Sequence, residues 1–483
     1  KDLKFGIEIC EDLWALKSPS LDQASAGANI IFNLSASNEY LGKMPYRKEL
    51  VKNHSGRIIS AYVYSSSGPG ESSTDTVFSG HCMILNNGKI IDETERFRFD
   101  SQTVVADIDL DIVQNERLKN NSYGFSKPDK HYRTIEFLIP GSDQDELLLN
   151  IDRMPFVPET ENVRNEVCEE ILNIQSTALI KRIKHIGIKD VVVGVSGGLD
   201  STLALLVCIK AFDKAGLDRK GIHAVTMPGF GTTKRTKNNA SDLCELLEVD
   251  FREIDITDSV RAHFRELSHD ENERDVVYEN AQARQRTQIL MNLANKLRGI
   301  VIGTGDMSEL ALGWATYNGD HMSMYAVNTG IPKTLIRYLI SWFAEKEFSG
   351  KESEILNDII ATPISPELLP ADEKDKITQE TEKAIGPYVL NDFFLYYSIR
   401  HNLSPSKVLQ YAIIAFAKYY ENEDIKNHLI NFYKRFFSQQ YKRSALPDGP
   451  KIGTVALSPR ADWRMPSDAS VNEWLSDLLD LKK

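Results

Sequence analysis

The residues best suited to chemistry begin with a glycine-rich loop, Gly194-Val195-Ser196-Gly197-Gly198-Leu199-Asp200-Ser201. A valine-rich strand pattern precedes this loop and a helical pattern follows it. Glycines permit positive φ and close backbone approach, and the amide groups at a helix N-terminus attract anions. The loop therefore predicts a phosphate cradle. It is neither a Walker A loop, because the Gly-Lys-Ser/Thr end is absent, nor a GxGxxG fingerprint.

Asp200, near the end of the loop, is a candidate magnesium ligand. A carboxylate beside a pyrophosphate repels it unless a divalent cation lies between them, and carboxylate oxygens are suitable ligands for that cation. The alternative is structural, because aspartate and serine are good N-caps and a glycine-rich turn can simply join a strand to a helix.

Cys10 is the second candidate. It follows an alternation of apolar Phe5, Ile7 and Ile9 that is typical of a strand. A thiolate at such a strand-to-helix elbow is stabilised by nearby backbone N–H groups, which favours a nucleophile. The alternative is a buried structural cysteine. Cys82, Cys168, Cys208 and Cys244 lack this context and are expected to pack.

Residue type does not by itself single out any position in residues 279–317, or Lys442, as a ligand contact. Trp314 and Tyr317 offer ring faces to an aromatic ligand, and Lys442 can pair with a phosphate or a carboxylate. By residue type alone, an aromatic side chain is more often core, and a lysine beside Arg443 more often faces solvent.

The elements that must position these residues change character along the chain. Residues 1–138 predict short strands, including 29–34, 58–65, 82–85 and 104–108, with interspersed helices. Residues 139–158 are rich in turn-forming types and predict a crossing segment. From residue 162 onwards, strand and helix patterns alternate as in a parallel doubly wound sheet, and helices dominate after residue 333. We therefore expect an α/β protein with domains at 1–140 and 161–483, joined by a linker at 141–160.

Composition and charge exclude several classes of protein. The 483 residues are 42% hydrophobic and 26% charged, with a net charge of −12. Without a basic stripe, the sequence predicts no nucleic-acid partner, and its apolar runs are too short for a membrane partner. Five scattered cysteines with no CxxC pair indicate neither a disulfide framework nor zinc, which favours the cytoplasm.

The Ser-Gly-Gly-Leu-Asp-Ser loop resembles the pyrophosphate loop of the ATP-pyrophosphatase family, and residues 279–284 and 303–317 resemble NAD synthetase signatures. This resemblance spans residues 165–470 and implies a ligase that converts deamido-NAD to NAD through an adenylate, with ATP and Mg²⁺. It places Gly194, Val195, Ser196, Gly197, Gly198, Leu199, Asp200, Ser201 and Thr304 on ATP. It places Asn280, Glu309, Trp314, Ala315, Thr316, Tyr317 and Lys442 on deamido-NAD, and Asp200 and Glu309 on the metal.

Residues 9–14, Ile-Cys-Glu-Asp-Leu-Trp, and 33–37 resemble nitrilase-fold glutaminases that are fused to NAD synthetases. This implies an αββα-layered domain, truncated at its start, with Cys10 as nucleophile and Ser37 and Lys43 on glutamine. The glutamate base and the lysine of that family precede the nucleophile, where this chain has nine residues. Free ammonia is therefore the expected nitrogen donor of the chain as written.

Two other functions remain open at this point: an ATP-pyrophosphatase amidotransferase for another acceptor, and an inert adenine-nucleotide-binding regulatory module. The motif at residues 314–317 speaks against the first of these, and the paired carboxylates Asp200 and Glu309 speak against the second. Transfer of ammonia between two active sites would favour fixed interfaces, so a homo-oligomer is expected.

Overall fold

The computed structural model describes residues 3–128, 130–138, 147–158, 160–365, 368–369 and 381–479, with the side chains of 161 and 162 excepted. Its contacts divide the chain into two units, one of Lys1–Ile151 with His401–Leu403, the other of Asp152–Arg400 with Ser404–Lys483. Residues 141–146 and 159 of the predicted linker lie outside the described residues, and 147–158 contain no helix or strand. None of the described helices is both long and apolar enough to cross a membrane.

The first unit is built on a sheet in the order β1-β2-β3-β4-β5. Strands β1, β2 and β3 are parallel, whereas β4 and β5 form an antiparallel hairpin. The strands are β1 (Phe5–Ile9), β2 (Ile30–Ser35), β3 (Ala61–Ser66), β4 (Met83–Asn86) and β5 (Lys89–Glu93). The helices are α1 (Pro19–Ser25), α2 (Lys43–Ile58), α3 (Leu110–Lys119) and α4 (Asn121–Gly124), with a 3₁₀ turn at Cys10–Trp14.

Two details of this unit differ from the sequence predictions. Residues 104–108 form no strand: Val104 and Val105 are adjacent, so the segment lacks the apolar alternation of a half-buried strand, and no described strand pairs with it. Residues 58–60 belong to the end of α2 and its left-handed cap at Ile59, so β3 begins at Ala61.

The second unit contains a fully parallel sheet in the order β10-β9-β6-β7-β8. Its strands are β6 (Val191–Gly194), β7 (Ile222–Thr226), β8 (Asp250–Glu253), β9 (Ile300–Gly303) and β10 (Tyr325–Ala326). The chain proceeds from β6 to one side of the sheet, then returns to form β9 on the other side. Ligands bind at such a switch point, at the carboxyl ends of the strands.

Helices surround this sheet and form most of the C-terminal part. They are α5 (Glu161–Ile186), α6 (Leu199–Ala215), α7 (Lys234–Leu246), α8 (Thr257–Leu267), α9 (Val276–Leu297), α10 (Met307–Leu312), α11 (Lys333–Trp342), α12 (Lys351–Ala361), α13 (Thr381–Ile385), α14 (Tyr388–Leu395), α15 (Pro405–Phe416), α16 (Asn422–Ser438), α17 (Gln440–Ser444) and α18 (Asn472–Leu479). Short π-helical turns at Phe343–Glu347 and Tyr396–Arg400 extend α11 and α14. The predicted α/β class with a parallel sheet and a helical C-terminal part is confirmed.

Candidate active site

The glycine-rich loop joins β6 to α6 at the switch point of the sheet. The buried valines of β6 fix the start of the loop, and Gly198 is the N-cap residue of α6. Gly197 has a φ of +83°, and a Cβ there would lie 2.1 Å from the carbonyl oxygen of Thr236. The amides of Ser196 and Gly198 donate to the hydroxyls of Ser201 and Ser196, respectively, at 3.2 and 3.3 Å. Glycine is therefore required at position 197 for the loop to adopt this conformation.

A cavity of about 410 Å³ opens beside the loop. Of the residues predicted to contact ATP, six line it: Gly194, Val195, Ser196, Asp200, Ser201 and Thr304. Gly197, Gly198 and Leu199 do not, and the side chain of Leu199 is buried in the hydrophobic core. The two ends of the loop therefore line part of the cavity, while the middle of the loop leads into α6.

Three carboxylates meet at the edge of this cavity. Asp200 comes from α6, and Asp306 and Glu309 come from the segment after the adjacent strand β9. Asp306 caps α10 by accepting the Glu309 amide at 2.8 Å. One oxygen from each carboxylate lies within 4.8 Å of the others, and Asp200 Oδ1 is buried and accepts no hydrogen bond from the described residues. Because magnesium prefers oxygen ligands, these residues fit that ion.

Lys333, the first residue of α11, points its ammonium into this cluster. Its Nζ lies 2.6 Å from Asp200, 2.5 Å from Asp306 and 3.0 Å from Glu309. Burial raises the pKa of Glu309 to about 7, against the opposing effect of the ammonium, and raises the pKa of Asp306 well above its usual range. Burial alone would lower the pKa of Lys333, but the three carboxylates raise it well above its ordinary value. The cluster is an electrostatically coupled unit.

The predicted deamido-NAD residues occupy another wall of the same cavity. Asn280, Glu309, Trp314, Ala315, Thr316 and Lys442 all line it. The hydroxyl of Thr316 donates to Asn280 Oδ1 at 2.7 Å. This hydrogen bond joins residues 313–317, which we call the Trp314 loop, to α9. Tyr317 does not line the cavity; it is 41% exposed and packs against His321 and Tyr441, with ring centroids 5.3 and 5.4 Å away.

Lys442 holds the Trp314 loop from α17. Its Nζ donates to the carbonyl oxygens of Gly313 and Ala315 at 2.7 and 2.6 Å, on both sides of Trp314. Arg435 of α16 lies over the Trp314 ring at 5.2 Å and donates to the Leu312 carbonyl at 3.1 Å. The ring is therefore positioned by two cationic side chains.

Replacement of Lys442 by methionine should raise the KM for deamido-NAD by about tenfold, since two charge-assisted hydrogen bonds of the Trp314 loop are lost. The KM for ATP should change little, because the phosphate loop is untouched. Steady-state kinetics with each substrate varied in turn checks this, with the exposed Lys434→Met of α16 as control. Equal increases in both KM values would contradict the assignment.

In the first unit, Cys10 follows β1 in a strained turn. Its φ is +43°, a conformation that non-glycine residues rarely adopt and that often occurs at functional sites. Its Sγ accepts the backbone N–H of Ala36 at 3.4 Å, and the Ser35 hydroxyl lies 3.5 Å away. The predicted backbone donor to the sulfur is therefore present.

Lys43 and Ser37 are both buried in this unit. Lys43 begins α2, donates from Nζ to the carbonyl oxygen of Asn38 at 2.7 Å, and lies 5.0 and 5.6 Å from the ring centroids of Tyr40 and Trp14. Burial lowers the pKa of Lys43, while a Cys10 thiolate favours its ammonium form. Lys43 is thus a cation in an aromatic setting, suited to an anionic group of a ligand.

We expect iodoacetamide to modify Cys10 of the native protein first. Burial raises the pKa of Cys168 to about 11 and those of Cys208 and Cys244 to about 12, so these thiols stay protonated near pH 8. Each of these three thiols should be modified at no more than about one tenth of the rate of Cys10, as measured by peptide mass spectrometry of timed samples. The partly exposed Cys82 is the matched internal control. Faster labelling of Cys82 than of Cys10 would contradict an activated Cys10.

Sequence reasoning assigned no role to several residues of the site, among them Asp306 and Lys333 of the cluster and Arg435 of the cavity wall. Asp306 stands three residues before Glu309, so the Asp-x-x-Glu spacing after a strand was an available signal. Lys333 and Arg435 are distant in sequence from the residues they contact and carry no comparable local signal.

A phosphate loop at the switch point of a parallel sheet, beside clustered carboxylates, defines a nucleotide-binding α/β protein. A family model described as NAD synthase matches residues 171–435. Glutamine-dependent NAD(+) synthetase from Mycobacterium leprae is 41% identical, over 98% of this chain and 74% of the relative, and that from Aquifex aeolicus is 27% identical over 96% and 74%. The crystal structure of a glutamine-dependent NAD(+) synthetase from Cytophaga hutchinsonii has the same fold, with a TM-score of 0.53 and 20% identity over 99% of this chain and 73% of that one.

The chain belongs to the glutamine-dependent NAD(+) synthetase family. It is therefore a ligase, and the family expected from the loop and from residues 303–317 is confirmed.

Proposed function

We propose that this chain uses ATP to amidate deamido-NAD to NAD, with release of AMP and pyrophosphate. The observation that carries this proposal is that the phosphate loop, the carboxylates Asp200 and Glu309 and the Trp314 loop line one cavity. A nucleoside triphosphate and an aromatic carboxylic acid can therefore bind next to each other in this cavity. The chemistry needs no covalent enzyme intermediate, only positioning and charge stabilisation.

In the first step, the nicotinate carboxylate attacks the α-phosphate of ATP, and pyrophosphate leaves. Backbone amides and hydroxyls of residues 194–201 hold the departing pyrophosphate at the N-terminus of α6. The ring of Trp314 provides a face for the pyridine, with Lys442 and Arg435 holding the loop and the ring in place. Asp200, Asp306 and Glu309 would hold a magnesium ion, which would supply positive charge to offset the negative charge of the phosphates.

In the second step, ammonia attacks the acyl carbon of the adenylate, and AMP leaves. Free ammonia is the expected donor for this chain, and in a complete glutaminase site the Cys10 thiolate would release ammonia from glutamine by attack on the carboxamide, followed by hydrolysis of the thioester. Ser37 and Lys43 bind the glutamine. The strained turn at Cys10 and the Ala36 N–H at its sulfur support this role.

The proposed organisation is a glutaminase domain at 1–140 and a synthetase domain at 161–483, in a cytoplasmic homo-oligomer. The five cysteines are unpaired and contain no CxxC pair, which supports a cytoplasmic location.

NAD formation from ATP, magnesium and deamido-NAD, with ammonium or glutamine as nitrogen source, tests the function. The expected result is NAD with ammonium, and none when ATP, deamido-NAD or magnesium is omitted. Replacing deamido-NAD by a purine nucleotide carboxylate or carbonyl acceptor should give no product. The proposal would be contradicted if NAD formed neither with ammonium nor with glutamine.

A further inference from the structure

We propose that the ammonium of Lys333 and a divalent cation compete for the carboxylates of Asp200, Asp306 and Glu309, so that binding of the cation displaces the lysine side chain. The inference rests on the proposed metal site and adds a competing cation, the Lys333 ammonium, to that site. Lys333 acts in this account as a resident counter-ion, which keeps the cluster neutralised until the cation arrives.

The geometry shows that this cluster already binds a positive charge. Lys333 Nζ lies 2.5 to 3.0 Å from all three carboxylates, donating hydrogen bonds to Asp200 and Glu309 and forming an ion pair with Asp306. A magnesium ion lies about 2.1 Å from its oxygen ligands, so an ion bound to these oxygens would stand next to Nζ. Two adjacent cations of total charge +3 repel strongly at that distance. The ammonium and the ion therefore exclude each other.

Burial makes the lysine an effective competitor. The side chain of Lys333 is 2% exposed, and that of Asp306 is fully buried. A buried carboxylate cluster needs a compensating cation, and removal of that cation without a replacement is costly. Cation binding at this site is therefore an exchange of one positive charge for another.

The backbone around Lys333 is held firmly, so only its side chain can make the exchange. The Lys333 amide donates to the Ser308 hydroxyl at 2.8 Å. The next amide, that of Thr334, donates to Asp392 at 3.0 Å, and Asp392 also accepts the Ser308 and Thr334 hydroxyls. The four-carbon lysine side chain is flexible enough to leave the cluster while α11 stays in place.

The displaced ammonium has a direction in which to move. The cluster borders the cavity, which Asp200 and Glu309 line, whereas the ring of Tyr388 lies 5.2 Å from Nζ. Occupation of the cluster by a divalent cation would therefore release a positive charge towards the cavity.

Titration with Mn²⁺ in the absence of nucleotide, with free Mn²⁺ measured by electron paramagnetic resonance, tests the competition directly. Lys333→Met removes the competing charge at similar volume, and the Kd for Mn²⁺ should fall by about tenfold or more. Lys442→Met is the matched control, because it removes a cation from the same cavity that contacts carbonyls instead of the carboxylates. Its Kd should match that of the unchanged protein.

An equal or higher Kd in Lys333→Met would overturn the proposal, and so would an equal decrease in Lys442→Met. If Mn²⁺ binds neither the unchanged protein nor the Lys333→Met variant, both the proposal and the metal site are contradicted. Because this readout is binding, NAD formation with ammonium separately decides whether the proposed function stands.

A second measurement on the unchanged protein covers the case in which Lys333→Met does not fold. Crystals soaked in Mn²⁺ should show an anomalous peak at the three carboxylates and Lys333 Nζ more than about 4 Å from them, beyond ion-pair distance. A peak at the cluster with Nζ still in place, or no peak there, would overturn the proposal.

Discussion

Replacement of Glu309 by glutamine should lower kcat/KM for ammonium-dependent NAD formation by about 10³-fold, the scale of a lost charge-stabilising group at a reacting phosphate. The glutamine side chain has the same shape but lacks the charge and one of the two carboxylate oxygens. Glu309 lines the cavity and shares the Lys333 ammonium with Asp200 and Asp306. The loss should appear in kcat/KM for both ATP and deamido-NAD, measured at saturating magnesium.

Glu354→Gln on α12 is the control for this variant, since it makes the same chemical change at an exposed helical position. It should leave the kinetics within experimental error. A Glu309→Gln enzyme that keeps more than about a third of its activity, with unchanged dependence on magnesium, would show that Glu309 is not part of the metal site.

Replacement of Gly197 by alanine should reduce NAD formation by about 10²-fold or more and also lower the stability of the second unit. The added Cβ would lie 2.1 Å from the Thr236 carbonyl oxygen and 2.9 Å from its carbon, both of them backbone atoms of α7. The loop or α7 must therefore move, which displaces the amides proposed to hold the pyrophosphate. A misplacement of about 1 Å is enough to cause a loss of this size.

Gly216→Ala is a matched control because it separates backbone strain from the clash. Gly216 caps α6 with a φ of +64°, close to that of Gly197, but a Cβ there would meet no atom within 4 Å. Gly216→Ala should lower the free energy of unfolding by about 1 kcal/mol, because alanine is strained in the left-handed conformation. It should leave activity unchanged. Equal losses of activity in both variants, with kinetics and thermal denaturation compared, would mean that the phosphate loop tolerates displacement.

The sequence predicted the position of the site because its strongest signals are local. The glycine-rich loop lies between a valine strand and a helix, and the carboxyl ends of neighbouring parallel strands meet at one edge of a sheet. This reasoning expected Asp200 and Glu309 to share a metal, and the structure brings their carboxylates together although they are more than 100 residues apart.

The sequence did not predict the partner that joins these carboxylates. Lys333 is 133 residues from Asp200 and 24 from Glu309, and the sequence around it contains no signal that its side chain turns inward. The same limit applies to Tyr317, which the motif places on the ligand but whose ring packs against His321 and Tyr441. Side-chain direction depends on tertiary packing, which a local pattern does not encode.

The reading of Lys442 changed for a related reason. As an isolated cation it suggested a phosphate or carboxylate partner, yet its ammonium donates to two backbone carbonyls around Trp314. A residue can therefore belong to a binding site by holding a loop in position, and spacing in the sequence cannot distinguish this role from direct contact.

The central claim, that the chain activates the nicotinate carboxylate as an adenylate, is tested most directly with deamido-NAD labelled with oxygen-18 in that carboxylate. After turnover with ATP, magnesium and ammonium, the AMP is analysed by mass spectrometry. We expect one labelled oxygen in the phosphate of each AMP, because the carboxylate oxygen that attacks the α-phosphate leaves with it. Unlabelled AMP accompanied by NAD, or label in the pyrophosphate, would contradict the account.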